Sequence, residues 1–189
     1  MQSRSALMLI DFQHDFLAAD GRMPIARHQL ADLIATTNRA IAQARTGGLT
    51  IVAVGNEFDP ADRLMNVLRR GAAIAGSKGA AWDARVPIGE AAYFAKQRGD
   101  AFSNASLHRY LAERDVDEVI LTGVYAKACV TATARGARAA GLRVVVLKDA
   151  VADAGDREKA RALHRLSKIP GITIATTPTP QPQPAIAHP

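Results

Sequence analysis

The sequence predicts an α/β protein, a three-layer α/β/α arrangement around a six-stranded, mostly parallel sheet of Rossmann-like kind. Three observations carry this. Short apolar runs without strict alternation recur at residues 6–10, 49–54, 91–95, 119–121, 142–147 and 172–175. Continuous apolarity of that length suits strands covered on both faces. Segments with helical spacing separate most of these runs, and strand–helix alternation implies parallel pairing with helices on both sides. Glycine and proline fall at the junctions, at Gly47-Gly48, Gly141 and Pro170-Gly171, where helices stop.

Taken in order, residues 6–10 form a buried strand that ends in Asp11. Residues 12–27 read as a loop, with Asp20-Gly21 as its turn signal. From 28 to 45 the apolar positions Leu30, Leu33, Ile34, Thr37 and Ile41 keep helical spacing. The second strand finishes at Gly55-Asn56-Glu57, and residues 60–68 suggest a short helix. Residues 71–87 are rich in glycine and alanine, carry the one tryptophan, Trp82, and read as an excursion over the surface. Such long loops are often functional. The third strand ends at Lys96, and Ser103 or Asn104 is positioned to cap a helix through Glu113 with Leu107, Tyr110 and Leu111 inward. The fourth strand contains Val119, Ile120 and Leu121, breaks at Gly123, and leads to a helix over 127–140. The fifth ends at Lys148-Asp149; Asp156 is expected to cap a helix to about 168, burying Leu163, Leu166 and Ile169. Beyond the sixth strand, prolines alternate with polar residues. The expected organisation is one domain over 1–175 and a proline-rich tail over 176–189, extended or disordered.

A chain of 189 residues suits one domain with a substantial core. Its 48% hydrophobic and 22% charged residues are ordinary for a soluble protein. No apolar run is long enough to span a bilayer, and Asp11 interrupts a first stretch too short for a signal peptide. A cytoplasmic protein without a membrane partner is therefore expected. A single cysteine excludes an intrachain disulfide. The net charge of +6 comes from scattered arginines with few aromatic residues, which argues against a nucleic-acid partner. Neither a P-loop nor a glycine-rich dinucleotide turn is present. Glu57 and Asp59 have no histidine near them in sequence. No cofactor and no metal are expected.

In parallel sheets, ligands bind at the carboxyl ends of the strands. Strand ends here bring Asp11, Glu57, Lys96 and Cys129 to one edge. A helix start favours a thiolate, the reactive form of cysteine. The five histidines suit the role of its base poorly: His28, His108 and His164 fall on helices, His188 in the tail and His14 in a loop. Asp11 can serve instead, its pKa raised by a partly desolvated strand end and lowered by a nearby lysine. Thiol, carboxylate and ammonium together suffice for attack on an amide-type carbonyl. The Gly123-Val124-Tyr125 turn can direct backbone N–H groups at the oxyanion. Each residue alone has a plainer reading: a buried apolar cysteine, a turn-forming aspartate, a solvated lysine. Their joint placement on one edge is what favours chemistry.

Four segments carry a resemblance. They are Ala6-Leu7-Met8-Leu9-Ile10-Asp11-Phe12-Gln13-His14-Asp15-Phe16; Lys96 with Ala101-Phe102; Thr122-Gly123-Val124-Tyr125-Ala126-Lys127-Ala128-Cys129-Val130; and Asp149-Ala150. Through them, over residues 6–153, the chain resembles the isochorismatase-like cysteine hydrolases, which include nicotinamidases, N-carbamoylsarcosine amidase and ureidoacrylate hydrolases. The stretch from Gly76 to Ala80 is similar to a family loop. The resemblance implies a catalytic triad of Asp11, Lys96 and Cys129, and a cis peptide between Val124 and Tyr125. It implies an oxyanion hole of the Tyr125 and Cys129 N–H groups, six parallel strands and a homo-oligomer. Phe16, Glu57, Phe58 and Tyr125 are candidates to contact a small-molecule substrate.

The departures from the family pattern shape the expectation. Asn56-Glu57-Phe58-Asp59-Pro60 stands where nicotinamidases carry an Asp-x-His metal motif. Ala126 and Lys127 replace a usual threonine and a common acidic residue, and Tyr125 is bulky where small residues are common. Cys129 favours amide chemistry over vinyl-ether cleavage. The function expected is cysteine-dependent hydrolysis of a small amide, carbamoyl or ureido compound through a thioester. The alternatives are a non-catalytic or redox-responsive binding protein on the same fold, and a hydrolase of a non-amide bond.

Overall fold

The computed structural model describes residues 4–179. Six strands, β1 (Ser5–Ile10), β2 (Thr50–Asn56), β3 (Ala92–Lys96), β4 (Glu118–Val124), β5 (Arg143–Ala152) and β6 (Ile172–Ala175), form one sheet in the order β3-β2-β1-β4-β5-β6. Every neighbouring pair is parallel. The helices are α1 (His14–Leu17), α2 (Arg27–Thr46), α3 (Arg63–Leu68), α4 (Ala105–Ala112), α5 (Thr131–Ala139) and α6 (Asp156–Leu166).

The apolar runs explain the layers. In β1, Ala6, Met8 and Ile10 face one core, and Leu7 and Leu9 face the other. The first core is completed by α4, α5 and α6 through Leu107, Leu111, Ala134, Ala137 and Leu166. The second is completed by α2 through Leu33, Ala40, Ile41 and Ala44. Because alternate strand residues point to opposite faces, only an unbroken apolar run satisfies both. Strand order reverses between β1 and β4, so the crevice at their carboxyl ends is the topological switch point where open α/β sheets bind ligands.

Several expected boundaries move, each for a local reason. Residues 12–27 are not all loop, since α1 forms one short turn. The second strand extends through Asn56, whose N–H and C=O are both held by the Gln13 side-chain amide. The fourth strand does not stop at Gly123 but runs to Val124, paired with Ala152. The fifth strand continues past Lys148-Asp149 to Ala152, past a register irregularity, because Ala150, Val151 and Ala152 are buried apolar residues. Asp153 therefore stands at its carboxyl end. Asp62 caps α3, accepting from the Met65 N–H at 3.4 Å. Asn104, not Ser103, caps α4. Asp156 is the first residue of α6 and not its cap; its carboxylate meets His28 at 2.9 Å and Gln29 at 2.7 Å. Residues 127–140 do not form one helix: Ala126–Val130 is a π-helical turn that precedes α5. Of the proline-rich tail, residues 180–189 lie outside the described residues. Thr177 is buried and donates to Asp149, and the Pro178 carbonyl accepts from Gln43 at 2.7 Å.

Gly123 lies beside Ile10 in the ladder, with φ of 119°. A Cβ there would sit 2.0 Å from the Ile10 carbonyl oxygen. Substitution must therefore push β1 and β4 apart at the switch point. Gly123→Ala is expected to lower unfolding stability by about 3 kcal/mol or more, combining a disallowed conformation with a backbone clash. Urea unfolding followed by circular dichroism measures it, and a loss under about 1 kcal/mol would contradict this account.

Candidate active site

Asp11 terminates β1. It has a positive φ of 58°, its N–H is held by the Val54 carbonyl at 2.8 Å, and it is 1% exposed. Lys96 terminates β3, with β2 lying between it and β1. Its ammonium reaches across to Asp11 Oδ2 at 3.0 Å and to Asn56 Oδ1 at 2.6 Å. Asn56 is the ladder partner of Lys96, and its Nδ2 lies 3.8 Å from the Cys129 sulfur. Cys129 sits in the π-helical turn that follows β4. Asp11, Lys96 and Cys129 thus come from three strand ends to one place at the switch point.

The electrostatics follow from burial. The Asp11 carboxyl is raised above its ordinary value because desolvation outweighs the Lys96 charge and the hydrogen bonds from Cys129, Lys96 and Asn56. Its Oδ1 has no well-formed hydrogen bond, and the Cys129 thiol is the proton donor coupled to that carboxyl. Burial works against the Lys96 ammonium, but Asp11 and Cys129 more than offset it, and its pKa lies above the usual lysine value. Cys129 keeps some exposure. Burial first, then the Asp11 charge, pushes its thiol up to about 12, against the pull of Lys96. Burial beside a carboxylate thus opposes what the start of the π-helical turn offers a thiolate. The resting site therefore holds a neutral thiol next to a buried ion pair.

The peptide bond between Val124 and Tyr125 is cis. The Tyr125 ring meets Phe16 edge-on, with centroids 5.7 Å apart, and its hydroxyl donates to the Met23 carbonyl. Phe58 is nearly buried under the Arg69 guanidinium, 3.9 Å from its centroid. Glu57 accepts from the Tyr93 hydroxyl at 3.0 Å. Phe16 and Tyr125 are thus in contact, whereas Glu57 and Phe58 engage other partners.

Sequence reading assigned no role to four residues that build this site. Gln13, fully buried, clamps the Asn56 backbone and also donates to the Ala80 carbonyl at 2.7 Å. Asn56 links Lys96 to Cys129. Tyr93 joins Trp82, which in turn packs on Phe12. Asp153, fully buried, accepts the Lys127 N–H at 2.7 Å and pairs with the Lys127 ammonium at 3.5 Å, fixing the turn that carries Cys129. The only sequence signals were a glutamine and an asparagine beside strand ends. The excursion over 71–87 is bound to the segment after Asp11. Ala73 donates to Asp15 at 2.8 Å, His14 to Ala81 at 2.9 Å, and Asp83 to Phe12 at 2.8 Å. Gly79 is required there, since a Cβ would lie 1.8 Å from Asp15 Oδ2.

Comparison with known proteins follows this geometry. The isochorismatase domain model matches residues 5–178. An uncharacterized isochorismatase family protein, PncA, of Bacillus subtilis is 29% identical over 185 residues, covering 91% of this chain and 99% of that one. The ureidoacrylate amidohydrolase RutB of Yersinia enterocolitica is 26% identical over 190 residues, covering 87% and 82%. The crystal structure of a pyrazinamidase of Pyrococcus horikoshii in complex with zinc superposes with a TM-score of 0.80 at 26% identity, covering 92% and 99%.

The residues after β2 do not fit a zinc ion here. The Asn56 amide faces Lys96 and Cys129, Glu57 meets a tyrosine, Phe58 is apolar, and Asp59 caps the Ala61 N–H. Zinc takes imidazole, thiolate and carboxylate ligands in sets of at least three. Among the described residues no cluster of three or more His, Cys, Asp or Glu is placed to hold a metal.

Breaking a buried pair leaves an uncompensated charge. Lys96→Met is expected to destabilise the fold by about 3–5 kcal/mol. Denaturant unfolding at neutral pH reads this, and a variant as stable as the parent would show that Asp11 does not depend on the ammonium.

Proposed function

This chain belongs to the isochorismatase family, and on that premise we propose that it is a cysteine-dependent amidohydrolase. Its substrate is a small amide, carbamoyl or ureido compound, and the bond cleaved is a C–N bond other than a peptide bond. The convergence of Asp11, Lys96 and Cys129 at the switch point, with Lys96 3.0 Å from the Asp11 carboxylate, is the observation that carries the reading. The proposal includes the cytoplasmic setting expected from the sequence and a homo-oligomer, which the family resemblance implies.

Asp11 takes the thiol proton as the sulfur attacks the substrate carbonyl. With the thiol held near 12 beside a carboxylate, a free thiolate is a minor species at neutral pH. Proton removal and attack are therefore coupled: negative charge passes from Asp11 through sulfur to the carbonyl oxygen. The π-helical turn commits the N–H groups of Lys127, Ala128 and Val130 to acceptors within the protein. The family resemblance implies those of Tyr125 and Cys129 as the donors for the oxyanion. Asp11, now protonated, gives its proton to the departing nitrogen, and the C–N bond breaks to leave a thioester and ammonia or an amine. Water then attacks the thioester, losing a proton to Asp11. The second tetrahedral species collapses to the acid, and the proton returns to sulfur. Lys96 keeps the carboxylate oriented and balances each anionic stage. Phe16 and Tyr125 form an apolar wall for the substrate, with Phe58 and Glu57 as further contacts.

Ammonia release across a panel of small amides, carbamoyl and ureido compounds tests this. Cys129→Ala is expected to reduce turnover of the best substrate by about three orders of magnitude or more. Retained turnover in that variant would sink the covalent mechanism.

The pH profile gives a second test. The base works only when ionised, so kcat/KM falls as Asp11 gains a proton. Its raised pKa places the acid limb above 3.8, the ordinary carboxylate value. Lys96 lowers that pKa, so Lys96→Met is expected to move the limb to still higher pH. A limb unmoved in that variant would mean that another group titrates.

A further inference from the structure

Asn56 stands between the two charged members of the cluster and the nucleophile, and the chemistry of its neighbours fixes how its amide is turned. A lysine ammonium has only donors. The Asn56 atom 2.6 Å from Lys96 Nζ must therefore be the carbonyl oxygen, and the amide NH2 is left facing the Cys129 sulfur at 3.8 Å. This settles an orientation that amide density alone seldom decides. The backbone beneath it is equally constrained. The Asn56 N–H donates to Gln13 Oε1 at 2.8 Å, Gln13 Nε2 donates to the Asn56 carbonyl at 2.7 Å, and the same nitrogen is tied to the Ala80 carbonyl. Asn56 is 2% exposed, so water does not compete for either end of the amide.

We propose that Asn56 is a hydrogen-bond donor to the Cys129 thiolate, polarised from behind by Lys96, and that it stabilises the sulfur anion formed during catalysis. This deepens the hydrolase reading and rests on it. A neutral thiol gains little from a facing N–H, whereas a thiolate gains a charge-assisted bond. The contact therefore favours the charged state selectively. Asp11 disfavours negative charge on the sulfur, and an N–H donor beside it is what a transient thiolate requires. Polarisation by Lys96 strengthens the N–H through the amide. The groups that act on the sulfur are Asp11 after β1, Asn56 at the end of β2 and Lys96 of β3, while the Tyr125 hydroxyl is turned to the Met23 carbonyl.

Asn56→Leu, read beside Asn56→Asp, tests this: both remove the donor, but only the aspartate adds a charge that would itself raise the thiol, so the leucine variant is the one scored. Alkylation of the lone cysteine by iodoacetamide is followed against pH in the full chain. The leucine variant is expected to alkylate about tenfold more slowly at mildly alkaline pH, with the profile displaced upward by about one pH unit, which is that tenfold change in thiolate fraction. A folded leucine variant with an unchanged profile overturns the proposal. Should the leucine variant fail to fold, the wild-type protein labelled with 15N at asparagine decides. One asparagine side-chain amide must shift in step with the ultraviolet absorbance of the thiolate, and no such shift in Cys129→Ala is expected. If no asparagine amide follows the thiolate, the proposal fails. Turnover retained in Cys129→Ala would instead remove the hydrolase mechanism while leaving the alkylation result intact, so the two failures are distinguishable.

Discussion

The ion pair between Asp11 and Lys96 is the interaction on which the rest of the site depends. Both groups are almost wholly excluded from water. A buried pair is neutral or unfavourable unless its remaining donors and acceptors are satisfied. Here Lys96 finds a second acceptor in Asn56, which Gln13 holds by two hydrogen bonds while a third reaches the loop at Ala80. The polar network thus spans β1, β2, β3 and the excursion after α3. It leaves one Asp11 oxygen without a well-formed partner. An unsatisfied buried oxygen is destabilising by about 1–3 kcal/mol, and Asp11 adds a left-handed backbone conformation. Both features sit at the residue proposed to accept the proton, and strain is commonly stored at functional sites.

On the other side of the sulfur, stability is arranged through Asp153. Its buried carboxylate accepts the Lys127 N–H and the Ala154 N–H and pairs with the Lys127 ammonium. Ala26 and Gln29 hold its backbone from α2 and the residue before it. The turn carrying Cys129 is therefore fixed by a charge outside the catalytic cluster. That separation matters, because Asp11 changes protonation during the proposed cycle and Asp153 takes no part in it. A positioning charge that titrated with the base would loosen the nucleophile at the moment of attack.

The fold was legible because burial on two faces leaves a direct mark on composition: each of the six strands is an apolar run, and each helix a periodic one. Asp11, Lys96 and Cys129 were legible because a parallel sheet sends its strand ends to one side. What stayed hidden depends on tertiary contact. Nothing in the run from Leu142 to Leu147 reveals that β5 continues to Ala152, because the register irregularity opposite Gly123 is a property of the pair. Asp153 was missed for that reason alone. Gln13 and Asn56 are ordinary polar residues whose importance comes from closing a hydrogen-bond ring across adjacent strands.

The neutral thiol has a consequence for selectivity. A cysteine with a strongly lowered pKa reacts with many electrophiles and with oxidants. With its pKa near 12, Cys129 is mostly protonated at rest, so its reactivity depends on a carbonyl that draws charge away as the proton leaves. Such a carbonyl must reach both the sulfur and the N–H groups of the turn. In the proposed reaction, selection lies in the geometry that admits it, with the Phe16–Tyr125 pair and the loop residue Trp82, packed on Tyr93 of β3, as candidate walls. In that reaction, the burial that raises Asp11 toward a base and the Asp11 charge itself hold the thiol protonated, while Lys96 opposes both effects.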